Sequence, residues 1–417
     1  MTAEKPAQQT RAQATIDRIT DAAIKVIARD GISRTTHRKI AEMAEVSLAS
    51  ITYHFATKED ILNESSRRLL TNYLHRFENA EARLAANNSK WANMEDLIAQ
   101  VLTYAFGKFR TETMAWQEIM LEAGRSEESQ ALARDWHTTL FNIWHRISKH
   151  FQNDKPALNA RSAIDLITGL IFILSPLKVS QTQVKDLFYG KKTLSNLQRA
   201  TSAKPDTRND IDLCDTPLSP KKIRTRGLIL KAAISILTEH GASAVTHRSV
   251  AHASGLSNAV PIYHFKSIDG LLHEAQITLY KTARERYRKG MAGVNYEKLT
   301  VDQLVDLTNT IFIRETTEYG KANIAKLSVE LESYRKPDLQ MLFIGSSILE
   351  QDQAWHRLLT TLSPTTPPQM ALFMQAQFIG KMIRLIATGT NTSDLITSRE
   401  EFEWTLKAAL SGSYWFD

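Results

Sequence analysis

Two short motifs recur along this 417-residue chain, and their residue types suit the gripping of a polyanion rather than bond-making. Thr36-His37-Arg38 returns as Thr246-His247-Arg248, and Tyr53-His54-Phe55 returns as Tyr263-His264-Phe265, both 210 positions later. A threonine hydroxyl can cap a helix whose N-terminal N–H groups then point at phosphate, while arginine, tyrosine and histidine offer further donors to a phosphate backbone. Bond-making chemistry finds no comparable arrangement. The sequence has no phosphate-cradling glycine loop, no nucleophile elbow and no metal-spaced Cys/His cluster. His137, His145 and His150 are close in sequence but lack a sensible ligand set. No catalytic residue, metal or cofactor is expected.

The motifs sit inside a larger duplication. From 18 to 62 the chain shares 16 identities in 45 positions with the segment 210 residues on, without a gap. Trp144-His145-Arg146 then matches Trp355-His356-Arg357, and Gly169 matches Gly380, at an offset of 211. A period this long marks a duplicated domain pair rather than a solenoid. Hydrophobic content of 43% and charged content of 23% describe an ordinary globular chain, too long for one core. The expected division is a first small domain at 1–62, a first helical domain at 63–190 and a linker at 191–218. A second small domain at 219–272 and a second helical domain at 273–417 follow. The linker reading rests on its Ser, Thr, Asp and Asn content, with Pro205 and Pro217.

Within each copy the local pattern predicts short helices that can position the motifs. Ile16, Ile19, Ala23, Ile24 and Ile27 recur at helical spacing, and Gly31 ends that helix. Thr36 caps a second helix, Ser47 a third that reaches Phe55, and Lys58-Glu59 opens a fourth. Ile229, Ala233, Ile234, Gly241, Thr246, Ser257 and Phe265 repeat the scheme. Three helices with a tight turn between the second and third fit helix-turn-helix geometry, in which the third enters the major groove. Ile40, Val250, Phe55 and Phe265 should be core.

Thr35-Thr36-His37-Arg38-Lys39-Ile40-Ala41, then Val46-Ser47, then Tyr53-His54-Phe55-Ala56-Thr57-Lys58-Glu59, resembles the DNA-binding signature of the TetR family of bacterial regulators. Val245-Thr246-His247-Arg248-Ser249-Val250-Ala251, Gly255-Leu256-Ser257 and Ile262-Tyr263-His264-Phe265 resemble it again. The resemblance implies an all-α fold of two tandem units, each a three-helix DNA-binding domain followed by a helical ligand-binding and dimerisation-type domain. It also implies an internal pseudo-dimer, since family members usually pair as separate chains. Three departures stand out. Glu45 replaces the turn glycine that Gly255 keeps, Ile268 replaces the lysine supplied by Lys58, and Tyr53 and Tyr263 fall one place later than the family's usual tyrosine.

On this resemblance Thr36, His37, Arg38, Tyr53, His54, Thr246, His247, Arg248, Tyr263 and His264 would face DNA, His54 and His264 being equally well packed helix-end residues. Lys58, Lys39 and Lys266 could neutralise phosphates. Arg224 and Arg226, with Lys221 and Lys222, form a basic arm before the second unit's first helix, stronger than the first arm of Lys5, Arg11 and Arg18. Residues 1–62 hold nine Lys/Arg against eight Asp/Glu, a net +1, and residues 219–272 hold seven against two, a net +5. On the recognition helices, Ser47, Ala49 and their counterparts Ser257 and Ala259 keep the frame. Leu48, Ser50, Ile51 and Thr52 are opposed by Asn258, Val260, Pro261 and Ile262, so the two half-sites should differ in sequence.

The remaining segments are helical in pattern. The apolar helices around 157–177 and 369–387 should pack the two units together, with Trp-His-Arg as a packing element at that interface. The resemblance further implies a pocket for a small-molecule inducer, lined in unit one by Trp116, Met120, Trp136 and Phe141 and in unit two by Phe312, Leu327, Leu331 and Phe343. The functional expectation is a transcription regulator, a repressor released by an inducer, whose partner is a double-stranded operator. The alternative is a ligand-binding or partner-binding protein with one or both helix-turn-helix modules degenerate. A net charge of +7 suits a polyanionic partner, and the single Cys214 suits a reducing cytoplasm.

Overall fold

The computed structural model describes residues 5–151, 154–201, 219–265, 267–291, 293–294, 298–336 and 348–412, and every regular element among them is helical. In the first half α1 (Lys5–Asp30) and a single 3₁₀ turn (Ile32–Arg34) lead into α2 (His37–Ala44), α3 (Leu48–His54) and the long α4 (Lys58–Ala85). Thr36, Ser47 and Thr57 are the N-caps of these last three, each accepting from the backbone N–H three residues on. That bond satisfies one of the donors every helix start leaves free, which is why the sequence breaks where it does. The first half continues with α5 (Met94–Ala105), α6 (Arg110–Ala123), α7 (Glu127–Ser148), α8 (Pro156–Leu174), α9 (Gln181–Phe188) and α10 (Leu194–Thr201).

The second half repeats the order. α11 (Pro220–His240) and a 3₁₀ turn (Ala242–Ala244) precede α12 (His247–Ser254), α13 (Ala259–Phe265) and α14 (Ile268–Met291). α15 (Val301–Thr317), α16 (Gly320–Ser333), α17 (Leu349–Leu362), α18 (Gln369–Thr388) and α19 (Thr392–Ser411) follow. Each small module has its own core. Ile19, Ala23, Ile40, Ile51 and Phe55 fill the first, and Ile229, Ala233, Val250 and Phe265 the second.

The halves are joined through α8 and α18, both long and apolar enough to cross a bilayer by length and composition, yet 83% and 89% buried here, chiefly against each other. Their crossing is set by the repeated glycines. A Cβ on Gly169 would overlap the Ala376 carbonyl of the facing helix, and one on Gly380 would overlap the Asp165 carbonyl. The duplicated glycines thus meet and let two backbones touch. Charges on the same face are not duplicated. Asp165 of α8 takes a bidentate bond from Arg384 of α18 (2.8 and 2.9 Å), while Lys381 lies between Asp165 and Glu401 and Arg161 also reaches Glu401 (2.9 Å). Buried charges are tolerated only when paired, so this one-sided cluster fits the two different halves to each other.

Three expectations are corrected. The stretch read as a linker from 191 begins with α10, which buries Leu194 and Leu197; two leucines in an eight-residue helix are too few to register as a sustained period. The basic segment 221–226 is no free arm but the first turns of α11, capped by Ser219 with Pro220 at the first helical position. Trp144 does not sit between the halves. It packs on Phe77 of α4, ring centroids 5.2 Å apart, inside its own unit.

Candidate nucleic-acid interface and ligand cavities

The recognition helices α3 and α13 are each seven residues, barely two turns, so one side must anchor and the other is free. Ile51 and Phe55 anchor α3, and Pro261 and Phe265 anchor α13, all buried in the module cores. That corrects the placing of Ile51 and Pro261 among base-facing positions: they fall on the inner stripe. The outer stripe carries Leu48, Ala49, Thr52 and Tyr53 in the first module and Asn258, Ala259, Ile262 and Tyr263 in the second. Ser50 and Val260 are half-buried between the two. Tyr53 is 85% and Tyr263 68% exposed, which is unusual for large rings and leaves both hydroxyls open to a partner. Each tyrosine stands edge-on to the next histidine, Tyr53 to His54 at 5.0 Å and Tyr263 to His264 at 5.3 Å. Burial, helped by Arg226 and Lys222, lowers the His264 imidazole from its usual value.

The caps hold the same geometry in both modules. Thr36 Oγ1 accepts from Lys39 N at 3.3 Å and Thr246 Oγ1 from Ser249 N at 3.0 Å. Ser47 Oγ accepts from Ser50 N at 3.1 Å, and Ser257 precedes α13 in the matching place. Arg38 and Arg248, each in the first turn of its helix, are exposed and have no ion-pair partner among the described residues. His37 and His247 turn inward instead, each with a buried Nε2 that lacks a partner.

Several cations lie elsewhere than the sequence suggested. Lys58 points back to the Ile32 carbonyl near Glu118 and Glu122, half-buried, with its basicity lowered by burial; that carbonyl also accepts from Thr35 N at 3.1 Å. Lys39 pairs with Asp30 at 2.9 Å. Arg226 forms a bidentate pair with Glu274, donates to the His264 carbonyl at 2.8 Å and lies 4.0 Å over Phe265, so it braces the module from behind. Lys222, one turn earlier, reaches within 5.8 Å of the Tyr263 ring. Arg224 is exposed on α11, and Lys266 lies outside the described residues.

The expected inducer-lining residues are mostly filled core. Trp116, Met120 and Trp136 are buried, with Trp136 Nε1 donating to Ser66 Oγ at 2.9 Å. Phe141 stacks on His145 beneath Arg161. Phe312 packs against Phe378 and Phe402, and Leu331 is buried. Leu327 alone of these faces the second-half cavity, and Phe343 lies outside the described residues. Aromatic side chains at helical spacing were spent on packing, as their area favours. The cavities lie to one side. In the first half a cleft of about 260 Å³ is bounded by α4, α5 and Phe109. In the second a cavity of about 90 Å³ is bounded by α14, α15, α16, α17 and α18.

Sequence reading missed two arginines that tie the halves together. Arg125, just after α6, donates to the Thr238 carbonyl near the end of α11. Arg335, just after α16, donates to the Ala28 and Arg29 carbonyls near the end of α1 and pairs with Glu118 at 2.6 Å. They are 210 positions apart, so the repeat offset already connected them.

Two helix-turn-helix modules with matching exposed faces are carried on one shared helical core, the architecture of a DNA-binding protein. The profile of bacterial regulatory proteins of the tetR family matches residues 19–65 and again 229–275, and that of the tetracyclin repressor-like C-terminal domain matches 92–174. The HTH-type transcriptional regulator BetI of Agrobacterium fabrum is 29% identical over 46% of this chain and 93% of its own length. The HTH-type transcriptional regulator LuxR of Vibrio harveyi is 32% identical over 26% of this chain, which spans about half (49%) of that protein. The N-terminal module of the TetR family is thus matched twice in this chain and a C-terminal domain of the repressor type once, consistent with a tandem member. It is a DNA-binding transcriptional regulator rather than an enzyme.

Proposed function

We propose that this regulator is a repressor that reads an imperfect palindrome with both modules of one chain and is released by a small molecule. The observation that carries the reading is the matched outer stripe of α3 and α13. Tyrosine and the serine before the helix recur at each, as the first-turn arginine does on α2 and α12, whereas Leu48 is opposed by Asn258 and Thr52 by Ile262. Shared residues would hold the phosphates, and differing ones would prefer different base edges. The functional division is then 1–62 and 219–272 for DNA, with 63–190 and 273–417 regulatory. Covalent linkage supplies the second module at high local concentration, so one chain suffices without dimerisation.

The cross-ties suggest how a ligand acts. α6 starts beside the first cavity at Phe109 and ends at Arg125 on the second module's α11. α16 lines the second cavity through Asn323, Lys326 and Leu327 and ends at Arg335 on the first module's α1. A ligand that favours one setting of either helix would shift the opposite module and thereby the separation of the recognition helices.

Selection from a random duplex library, run on the intact chain and on Tyr53→Ala and Tyr263→Ala, tests the reading. A bipartite site from the intact chain, with a different half lost in each variant, is expected. Loss confined to Tyr53→Ala would leave unit two a scaffold, and selection of nothing would end the proposal.

A further inference from the structure

The two cavities occupy equivalent places in the repeat, and they differ at one decisive position. Arg76 of α4 corresponds to Arg286 of α14, and Phe109 corresponds to Tyr319, at the common offset of 210. In each half the guanidinium carbon of the arginine lies over that aromatic ring, 3.5 Å from the Phe109 centroid and 4.0 Å from that of Tyr319. The arginine–aromatic clamp has therefore been kept in both copies. What faces it has not. Position 105 is alanine, and its equivalent, 315, is glutamate.

In the second half the Glu315 carboxylate fills the site. It accepts from Arg286 Nη2 at 2.8 Å and from Nε at 3.3 Å, and Asn323 joins the cluster at 3.0 Å from the same guanidinium. The enclosed cavity beside it is about 90 Å³, and what else borders Arg286 is an open outer groove along Lys289 and Arg314. In the first half Ala105 leaves the corresponding space open, and the cavity is about 260 Å³, above the ~150 Å³ that admits a benzene ring. Arg76 spends Nη2 on Glu112, while its Nη1 is buried without a hydrogen-bond partner. A guanidinium has five donors in a planar fork, so a second carboxylate can be accommodated there. Arg83, two turns along α4, adds another cation to the wall, and Phe77, Trp91, Leu97 and Val101 line the rest with apolar surface.

We propose that the first-half cavity is a receptor site for an amphipathic carboxylate, whose head group takes at Arg76 the place that the chain's own Glu315 takes at Arg286. The second half carries a built-in stand-in for the ligand and is blind to it; the first half requires the real one. The proposal names the ligand class for the ligand-released reading above and rests on it for regulation, though not for binding.

The test is calorimetric titration of the full chain with octanoate, compared with 1-octanol and octylammonium as probes of the same length. One octanoate per chain is expected, with the neutral and cationic probes weaker by about tenfold or more, the worth of a charge-assisted hydrogen bond. Arg76→Gln weakens octanoate by a similar factor. Ala105→Glu, which installs the second half's internal carboxylate, abolishes binding while leaving the melting temperature in place, and Glu315→Ala opens a second octanoate site. Should Arg76→Gln or Glu315→Ala not fold, Ala105→Glu decides. Octylammonium binding as tightly as octanoate, or octanoate binding unaffected by Ala105→Glu, overturns the proposal. DNA binding followed in parallel by anisotropy separates the two readings: octanoate bound without weakening the DNA complex supports the site and counts against ligand release.

Discussion

Arg335 donates to the backbone carbonyl of Ala28 at 2.9 Å, and this contact has a mirror in the other half, where Arg125 donates to the carbonyl of Thr238 at 3.1 Å. Both pairs are related by 210 positions, so each DNA-binding module is held at the end of its first helix by the regulatory half of the other unit. Carbonyls at a helix C-terminus lack intrahelical donors and carry the negative end of the helix dipole, which makes arginine the natural partner. Arg335 has the fuller set, with Arg29 O, Glu118 and Glu332 as well. Arg335→Ala is expected to speed amide exchange around residues 27–35 and Arg125→Ala around 237–245, each by the equivalent of about 1–3 kcal/mol. Exchange mass spectrometry on both variants checks this. A change confined to the variant's own half would show that the ties do not cross.

The crossing of α8 and α18 makes a second prediction, because a methyl group at Gly169 or Gly380 has nowhere to go but into backbone. Overpacking against side chains costs typically about 1–3 kcal/mol, and backbone cannot step aside as a side chain can. Gly169→Ala and Gly380→Ala should each lower stability by at least about 3 kcal/mol in a denaturant melt. Gly227, within α11 and open on all sides, supplies the control. There alanine should raise stability by about 0.5–1 kcal/mol, since glycine is a poor helix residue when its freedom is not needed. Equal effects at the three sites would remove the close approach as the explanation.

What the sequence disclosed and what it withheld divide along physical lines. Caps and anchors such as Thr36, Ser47, Ile40 and Phe55 were legible because they are local: a hydroxyl before an apolar period states where a helix starts. The doubled module was legible because the identities fall at one offset. The direction of a long cation was not. Lys58 and Arg226 read as phosphate ligands until the neighbours that capture them, Ile32 O and Glu274, came from distant helices. The cavities were misplaced for a related reason, since Trp116 and Trp136 announce bulk but not whether bulk lines a space or fills it. Arg76 with Arg286, and Arg125 with Arg335, were present in the repeat all along as matched positions outside any known motif.

The turn between the helices of each module gives a direct comparison of backbone strain. Glu45 adopts φ 53°, ψ 45°, and its counterpart Gly255 φ 67°, ψ 24°, so the same left-handed residue is demanded in both. The left-handed region costs a side-chain-bearing residue roughly 1–2 kcal/mol, whereas glycine's extra unfolded freedom costs roughly 0.5–1. Glu45→Gly should therefore stabilise the first module, and Gly255→Ala should destabilise the second by a similar margin, each about 0.5–1 kcal/mol. Thermal melts of the two variants test the pair, and a loss of stability in Glu45→Gly would mean that its side chain contributes more than its backbone costs.

Asp352 of α17 offers the clearest dependence on pH. Burial alone raises its carboxyl to about 7, and no charged partner among the described residues offsets it. The unfolded value is near 3.8, so between these two values the folded chain binds the extra proton. Its contribution is then intact below about pH 4 and is lost as pH rises through 7, where the buried group must ionise. Asparagine keeps the shape and never ionises. Asp352→Asn should match the parent near pH 4 and exceed it in stability above pH 7, by up to roughly 4 kcal/mol for three pH units at 1.36 kcal/mol each. Denaturant melts of both proteins at pH 4, 6 and 8 measure the difference. A constant gap across that range, or one that widens toward acid, would show that the carboxyl is already ionised in the fold with a partner that stabilises it.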